Sequence, residues 1–371
     1  MKPRVLHISA LQLGTGGTER IILQISHFLN TTYDFDLLSG ASNEFNSQFL
    51  QHSGGNIYAW DVKRLIDLKA VVSLSRYLDL IKPDIVHLHD SRAGFLARHL
   101  LKINGIPSVL TAHLPPYYYQ WKKFTNLRRY IYATIESLIN HLTPTTIVYV
   151  ATKSYENALQ KNYAKKGQAY LINNGIDLFP YKNIPPNKKH HNPPLICSVA
   201  RLTLQKNIAL LIRSAEVLKK RGVEFELWVV GDGPERSSLE ETVRKHNLIE
   251  TIRFLGTRSD IVDILGQADI FVLPSLYEAR PLAVLEAQAA GLPCVLSNVG
   301  DHSYLVNNPE CGYIFDVNDE VGCADALEIL LRSPVQREKF GGIAQKKAIN
   351  EYAMSKMVQS YDQLYKTLLG N

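Results

Sequence analysis

The sequence predicts an α/β protein of two domains, each a parallel sheet with helices on both faces. Three observations predict it. Short apolar strands alternate with amphipathic helices along the whole chain, as parallel β-α-β units require. The length, 371 residues, suits two ordinary domains. The polar, proline-rich stretch Pro185-Pro186-Asn187-Lys188-Lys189-His190-His191-Asn192-Pro193-Pro194 interrupts the alternation near the middle and continues neither core.

The elements follow in order. In the first half, residues 5–8, 85–88, 108–111 and 147–150 read as strands. Residues 18–29 read as a helix with Ile21, Ile22, Ile25, Phe28 and Leu29 on one face. In the second half, 195–199, 226–230 and 270–273 read as strands. Ile208, Leu211, Ile212, Ala215 and Leu218 mark a helix between the first two. From about Glu351, helical spacing returns at Met354, Met357, Tyr361 and Tyr365. The domains are therefore placed at 1–182 and 183–350, with a final helix at 351–371. Two such domains on one linker leave a cleft between them. Open α/β sheets bind ligands outside the carboxyl ends of their strands, so the cleft is the expected site.

An apolar fraction of 46% and a charged fraction of 20% fit a globular chain. No apolar run approaches the ~18–20 residues that span a bilayer, and residues 1–13 read as a first strand rather than a leader. The four cysteines form no C-x-x-C pair and are expected as buried thiols in a cytoplasmic protein. Charge is uneven: residues 1–182 carry a net +8 and the remainder −2. One half is therefore expected to meet something anionic, whether a phosphorylated lipid, a membrane surface or nucleic acid.

The most informative stretch is Tyr277-Glu278-Ala279-Arg280-Pro281-Leu282-Ala283-Val284-Leu285-Glu286-Ala287. It follows a strand, and Pro281 suits the first turn of a helix that Gly291 can end. The free N–H groups at that helix start attract phosphate. Glu286, inside the helix, can accept hydrogen bonds from a ribose diol. The combination suggests a nucleotide-sugar site. Arg201 and Lys206 bracket the loop after the strand 195–199; they read as countercharge for a pyrophosphate or as two solvated cations. Gly231-Asp232-Gly233-Pro234 is either a sharp turn beside a ligand or a plain strand-to-helix turn. Gly14-Thr15-Gly16-Gly17-Thr18-Glu19-Arg20 lacks the full G-x-G-x-x-G spacing and reads as a ligand loop or a simple turn.

His87 and His89 share a strand face, but two imidazoles are too few for a typical metal site. His113 suits a hydrogen bond to a ligand. Asp34-Phe35-Asp36 reads as a strand edge with two solvated acids rather than a metal-binding pair, and residues 188–191 as a solvated linker. Residues 115–140 mix Tyr117, Tyr118, Trp121, Lys122, Lys123 and Arg128. They suit a membrane interface or lipid-phosphate acceptor, or a helix with aromatics inside and cations outside. No nucleic-acid motif is present.

These residues resemble the group 4 retaining glycosyltransferases of B-type, double-Rossmann fold, over nearly the whole chain. The most specific piece runs from Glu278 to Glu286 and on through Ala287-Gln288-Ala289-Ala290-Gly291-Leu292-Pro293-Cys294-Val295. Arg201 with Lys206, the Gly231 turn, Asn174-Gly175-Ile176-Asp177 and Gly16-Gly17-Thr18-Glu19-Arg20 all fall in the family order. The resemblance implies two Rossmann-like domains facing across a cleft and a C-terminal helix crossing back to the first. It implies that Arg201 and Lys206 hold a donor pyrophosphate with Gly231 beside them, and that Glu286 holds the ribose. Glu278 and the backbone of Ala279, Arg280, Pro281 and Leu282 would hold the transferred sugar. His113 would bond that sugar, and Gly16 and Gly17 would approach phosphate and acceptor. The catalytic set would be Glu278, Lys206, Arg201 and His113. The family commonly has glycine after the first glutamate, whereas Ala279-Arg280 stands here.

The implied reaction moves a hexose or N-acetylhexosamine, with retention and without a metal or cofactor, from a nucleotide diphosphate sugar to a saccharide. UDP-sugar leads as donor, and guanosine diphosphate mannose is the other candidate. The acceptor is expected to be lipid-linked, in bacterial surface polysaccharide synthesis (capsule, exopolysaccharide or lipopolysaccharide), at the inner face of the cytoplasmic membrane. The competing reading is a non-catalytic sugar-nucleotide-binding scaffold for another glycosyltransferase.

Overall fold

The computed structural model describes residues 1–11, 16–40, 43–64, 67–114, 126–185, 191–306 and 310–370. The chain forms two compact units. Unit 1 is Met1–Asn174 with the segment from Met354 onward, and unit 2 is Gly175–Ala353. The division thus falls ahead of the boundary placed at 182/183. The reason is local: Ile176 N donates to Tyr352 O at 2.8 Å, and Ile176 and Tyr181 are buried in a unit 2 core.

Unit 1 holds β1 (Arg4–Ser9), β2 (Asp34–Ser39), β3 (Ile57–Ala59), β4 (Ile85–Leu88), β5 (Ser108–Ala112), β6 (Thr146–Tyr149) and β7 (Ala169–Leu171). They form one sheet in the order β3-β2-β1-β4-β5-β6-β7, and every pair is parallel. One face is covered by the helix Gly17–Leu29 and the C-terminal helix Met354–Leu368, through Ile21, Ile22, Ile25, Met357 and Tyr361. Leu74, Leu78, Leu96, Ala97 and Leu101 pack against the strands as a second core. Each large side chain so buried contributes about 1.5–3 kcal/mol.

Two expectations need correction. Phe28 is 50% exposed, because the buried stripe of its helix runs through Ile21, Ile22, Ile25 and Leu29 and includes Ser26 instead. Asp36 is buried, not solvated. β2 lies inside the sheet, and Asp36 accepts from Asn56 N at 2.8 Å and Asn56 Nδ2 at 3.1 Å, with Arg4 Nε 3.7 Å away.

Unit 2 holds β8 (Leu195–Val199), β9 (Glu226–Val230), β10 (Ile252–Gly256), β11 (Ile270–Leu273), β12 (Cys294–Ser297) and β13 (Gly312–Phe315). Their order is β10-β9-β8-β11-β12-β13, again all parallel. Two apolar clusters line this sheet. The helix Leu282–Ala289 is apolar nearly all round and buried accordingly. The four cysteines are free and buried. Among the described residues no helix is long and apolar enough to cross a membrane.

Both sheets reverse strand order at one point, between β1 and β4 in unit 1 and between β8 and β11 in unit 2. Helices on either side diverge there and open a crevice at the carboxyl ends of the strands.

Candidate active site

In unit 2 the loops leaving β8, β9 and β11 are tied together by backbone hydrogen bonds. Ala200 N donates to Val230 O, Leu202 N to Asp232 O and Glu235 N to Leu202 O, at 2.9–3.0 Å. Leu276 N donates to Gln205 O at 2.8 Å, and Gln205 Nε2 to Tyr277 O at 3.0 Å. Gly231 has φ +124, and a Cβ there would lie 2.1 Å from Ala200 O. The glycine therefore serves the close approach of two loops.

On this platform Lys206 Nζ binds Glu278 Oε1. Ser275 Oγ donates to the same oxygen at 2.8 Å. The Glu278 side chain is 8% exposed and that of Lys206 19%, so the pair lies at the edge of the interior. Arg201 is exposed, and among the described residues no carboxylate pairs with its guanidinium. The helix Leu282–Ala289 begins directly after Pro281, which is its cap rather than its first residue, and among the described residues no side chain caps its first turn. Uncapped N–H groups favour an anion at that point. Glu286, one turn along, is 6% exposed.

The structure thus brings Lys206, Glu278 and the helix start into one loop system. Ala279 is buried. Arg280 turns inward: Nη1 lies 3.2 Å from Asp301 Oδ2, and its guanidinium sits 5.2 Å from the centre of the Tyr352 ring. The Arg280 side chain braces the loop after β12, so its guanidinium serves packing rather than the loop surface. In the same region Asp301 N donates to Ala279 O at 2.9 Å and Ser297 Oγ to Ser275 O at 2.6 Å. Sequence reasoning missed Ser275, Asp301 and Gln205, which position the glutamate loop. The signal available was their place just after strands β11, β12 and β8.

In unit 1, Gly16 is exposed and Gly17 opens the helix Gly17–Leu29; residues 12–15 before them lie outside the described residues. Asp90 caps the helix Ser91–Ile103 and accepts from Ala10 N at 2.7 Å and Ser9 Oγ at 3.1 Å, which fixes the crevice between β1 and β4. His113, just after β5, is partly buried, and burial pushes its pKa down to about 4. His113 Nε2 lies 3.5 Å from His89 Nδ1. His87 and His89 gain a third imidazole that the sequence did not reveal: His7, paired with His87 across β1 and β4. Residues 115–125 and 188–190, read above as an aromatic, basic segment and a linker, lie outside the described residues.

Comparison with known proteins agrees with this fold. Residues 15–178 match the family model Glycosyltransferase Family 4, and residues 181–347 match Glycosyl transferases group 1. The chain is 28% identical to the UDP-Gal:alpha-D-GlcNAc-diphosphoundecaprenol alpha-1,3-galactosyltransferase of Escherichia coli, covering 100% of this chain and 98% of that one. It is 28% identical to the putative glycosyltransferase EpsF of Bacillus subtilis, covering 80% and 79%. Among solved structures, Anabaena Alr3699/HepE in complex with UDP-glucose superposes with a TM-score of 0.82 at 16% identity, covering 98% of this chain and 99% of that one. Sucrose-phosphate synthase from Thermosynechococcus elongatus gives 0.82 at 19%, covering all of both chains. Those two likenesses establish the fold. With two family models in tandem along it and a double-Rossmann architecture beneath, the chain belongs to the group 4 glycosyltransferases.

Proposed function

We propose that this glycosyltransferase moves a hexose or N-acetylhexosamine from a UDP-sugar to a lipid-linked saccharide, with retention and without a metal, in bacterial surface polysaccharide synthesis. One observation carries the reading: at the switch point of unit 2, an ammonium held by a buried glutamate stands beside an uncapped helix start. A diphosphate needs countercharge when it leaves as a free anion, and preorganised cations supply it at no reorganisation cost. Lys206, Arg201 and the N–H groups after Pro281 serve this role. Glu286 takes the ribose hydroxyls, and Glu278 with the Ala279–Leu282 backbone takes the sugar. From unit 1, His113 hydrogen-bonds a sugar hydroxyl, and Gly16 and Gly17 leave room for phosphate or acceptor. No side chain here is assigned as a nucleophile. The leaving phosphate takes the acceptor proton as the new bond forms on the same face.

The choice of donor base and lipid is supported by the Escherichia coli relative, a UDP-Gal:alpha-D-GlcNAc-diphosphoundecaprenol alpha-1,3-galactosyltransferase. Membrane contact has its own support. The helix Asn126–Leu142 exposes Tyr130 (71%), Ile131, Ile135, Leu138 (57%) and Leu142. Four of these recur at steps of three or four residues, an apolar stripe on one face, in the half of the chain with net positive charge.

The test is a donor screen with mass-spectrometric readout, using a polyprenyl diphosphate saccharide as acceptor and excess chelator in a parallel arm. Transfer from a UDP-sugar, unaffected by chelator and giving the α-linked product from an α-donor, is expected. Donor binding without any turnover across the screen favours the scaffold reading, and chelator-sensitive turnover removes the metal-free one. Flotation with anionic liposomes, weakened by Leu138→Glu, checks the membrane contact.

A further inference from the structure

Four histidines stand at the switch point of unit 1. His7 and His87 are cross-strand neighbours on β1 and β4, His89 follows β4 and His113 follows β5. His7 and His87 are fully buried and His89 is 2% exposed. Burial lowers the pKa of all four, to about 3 for His7 and about 4 for His113. Each ring is therefore neutral near pH 7, with one N–H donor and one bare nitrogen.

His87 is a closed account. Its Nδ1 meets Tyr365 Oη at 2.6 Å and its Nε2 meets Thr111 Oγ1 at 2.7 Å. The other three form a row: His7 Nδ1 to His89 Nε2 at 2.8 Å, then His89 Nδ1 to His113 Nε2 at 3.5 Å. His7 Nε2, at the inner end, is buried and has no partner among the described residues. A row of neutral imidazoles has two settings, with every N–H pointing outward or every N–H pointing inward. The inward setting leaves His7 Nε2–H as an orphaned donor in the core. The outward setting leaves only a bare lone pair there. Orphaned buried N–H groups are the rarer and costlier of the two. The outward setting has His7 Nδ1–H donating to His89 Nε2 and His89 Nδ1–H donating to His113 Nε2.

We infer that His7 and His89 are positioning residues that hold His113 in its Nδ1–H form, so that it meets the sugar as a hydrogen-bond donor. The inference rests on the proposed contact of His113 with the sugar. A metal does not explain the cluster better. Ligand atoms of His7, His87 and His89 do lie within 4.8 Å of one another. But both nitrogens of His87 are committed to hydroxyls, and 2.8 Å between His7 and His89 is shorter than the about 3.3 Å between two nitrogens on one tetrahedral zinc.

The test uses ¹⁵N-histidine labelling and long-range ¹⁵N–¹H correlation NMR on the whole chain, which distinguishes bare from protonated ring nitrogens directly. In the wild type His113 is expected with Nδ1 protonated and Nε2 bare. His89→Gln keeps a donor and an acceptor in line, so it retains that signature and keeps kcat/KM within about threefold. His89→Phe loses the signature, and kcat/KM falls about tenfold, the worth of one neutral hydrogen bond. His87→Phe is the packing control and leaves the signature in place. A protonated Nε2 on wild-type His113 overturns the inference whether or not the variants fold. So does an unchanged signature in His89→Phe, or about one equivalent of zinc retained by the purified protein. Full turnover in His113→Ala sinks the sugar contact itself, while the NMR result stands apart from it.

Discussion

Lys206→Ala removes one charge from two interactions, and the structure says how large each loss is. Lys206 Nζ holds Glu278 Oε1, which also accepts from Ser275 Oγ. Deleting one member of a fully buried ion pair costs about 3–5 kcal/mol. Here the lysine side chain is 19% exposed and the hydroxyl remains, which brings the cost to about 2 kcal/mol. In a domain the size of unit 2, that lowers the melting temperature by about 4–8 °C. Separately, losing a preorganised cation from a developing diphosphate lowers kcat by about 10²–10³.

A double-mutant cycle with Glu278→Gln separates the two effects. The glutamine carries no charge, so the double variant contains no unpaired buried carboxylate. It is expected to regain at least half of the lost stability while kcat stays low. Thermal melting and single-turnover UDP release supply the four corners of the cycle. Strict additivity, within about 0.3–0.5 kcal/mol, means that the pair contributes nothing in solution. Recovered turnover in the double variant means that Lys206 serves only to neutralise the Glu278 carboxylate, and refutes both its role at the phosphate and that of Glu278 at the sugar.

Three further outcomes follow from named contacts. Tyr365→Phe leaves His87 Nδ1 buried without its partner at 2.6 Å, a loss of about 1–3 kcal/mol, read as faster amide exchange along Met354–Leu368; unchanged exchange contradicts it. Gly231→Ala pushes a methyl to 2.1 Å from Ala200 O at φ +124, so denaturant unfolding should show a loss above about 3 kcal/mol. A mild loss means that the two loops are not packed this closely. Acid should weaken unit 1 through its buried histidines. Their folded pKa values, about 3 for His7 and about 4 for His113, lie below the ordinary 6.5, so the unfolded chain binds protons that the folded one refuses. Stability is complete above pH 6.5 and falls towards pH 4 by up to about 1.4 kcal/mol per pH unit per histidine. Urea midpoints that do not move between pH 7 and 5 contradict this.

The strands β1, β4, β5, β6, β8, β9 and β11 and the helix after Glu278 were legible because apolar runs, Pro281 and Gly291 carry them locally, whereas β3, β7, β10, β12 and β13 were not assigned. Strand order was not legible, because a crossover hides which strands become neighbours. That is why His7 went unread beside His87 and His89: 80 residues separate it from His87, and only the adjacency of β1 and β4 joins them. Asp36 failed for the same reason, since an acid on a strand looks solvated until Asn56 supplies its donors. The direction of the Arg280 side chain was equally out of reach. It depends on Asp301 and Tyr352, contributed by segments far along the chain. Residue types at loop ends could be read, but the side chains that aim them could not.

The two switch points use different chemistry, and the difference bears on what each meets. In unit 2 the loops present full charges, with Lys206 held by Glu278 and Arg201 exposed. Full charges suit a ligand that itself carries charge and gains more on leaving. In unit 1 the corresponding place is filled by imidazoles that burial keeps neutral. A neutral imidazole brings no countercharge to a diphosphate, but it can distinguish a hydroxyl by direction, and a site built to bond a hydroxyl discriminates strongly against its absence. Under the proposed function, the loops that offer countercharge would select for the diphosphate, and the neutral imidazoles for the pattern of hydroxyls. On this argument Lys206→Ala slows transfer of every sugar alike. His113→Ala changes the ratio between epimeric donors instead, and a ratio left unchanged by His113→Ala contradicts the division.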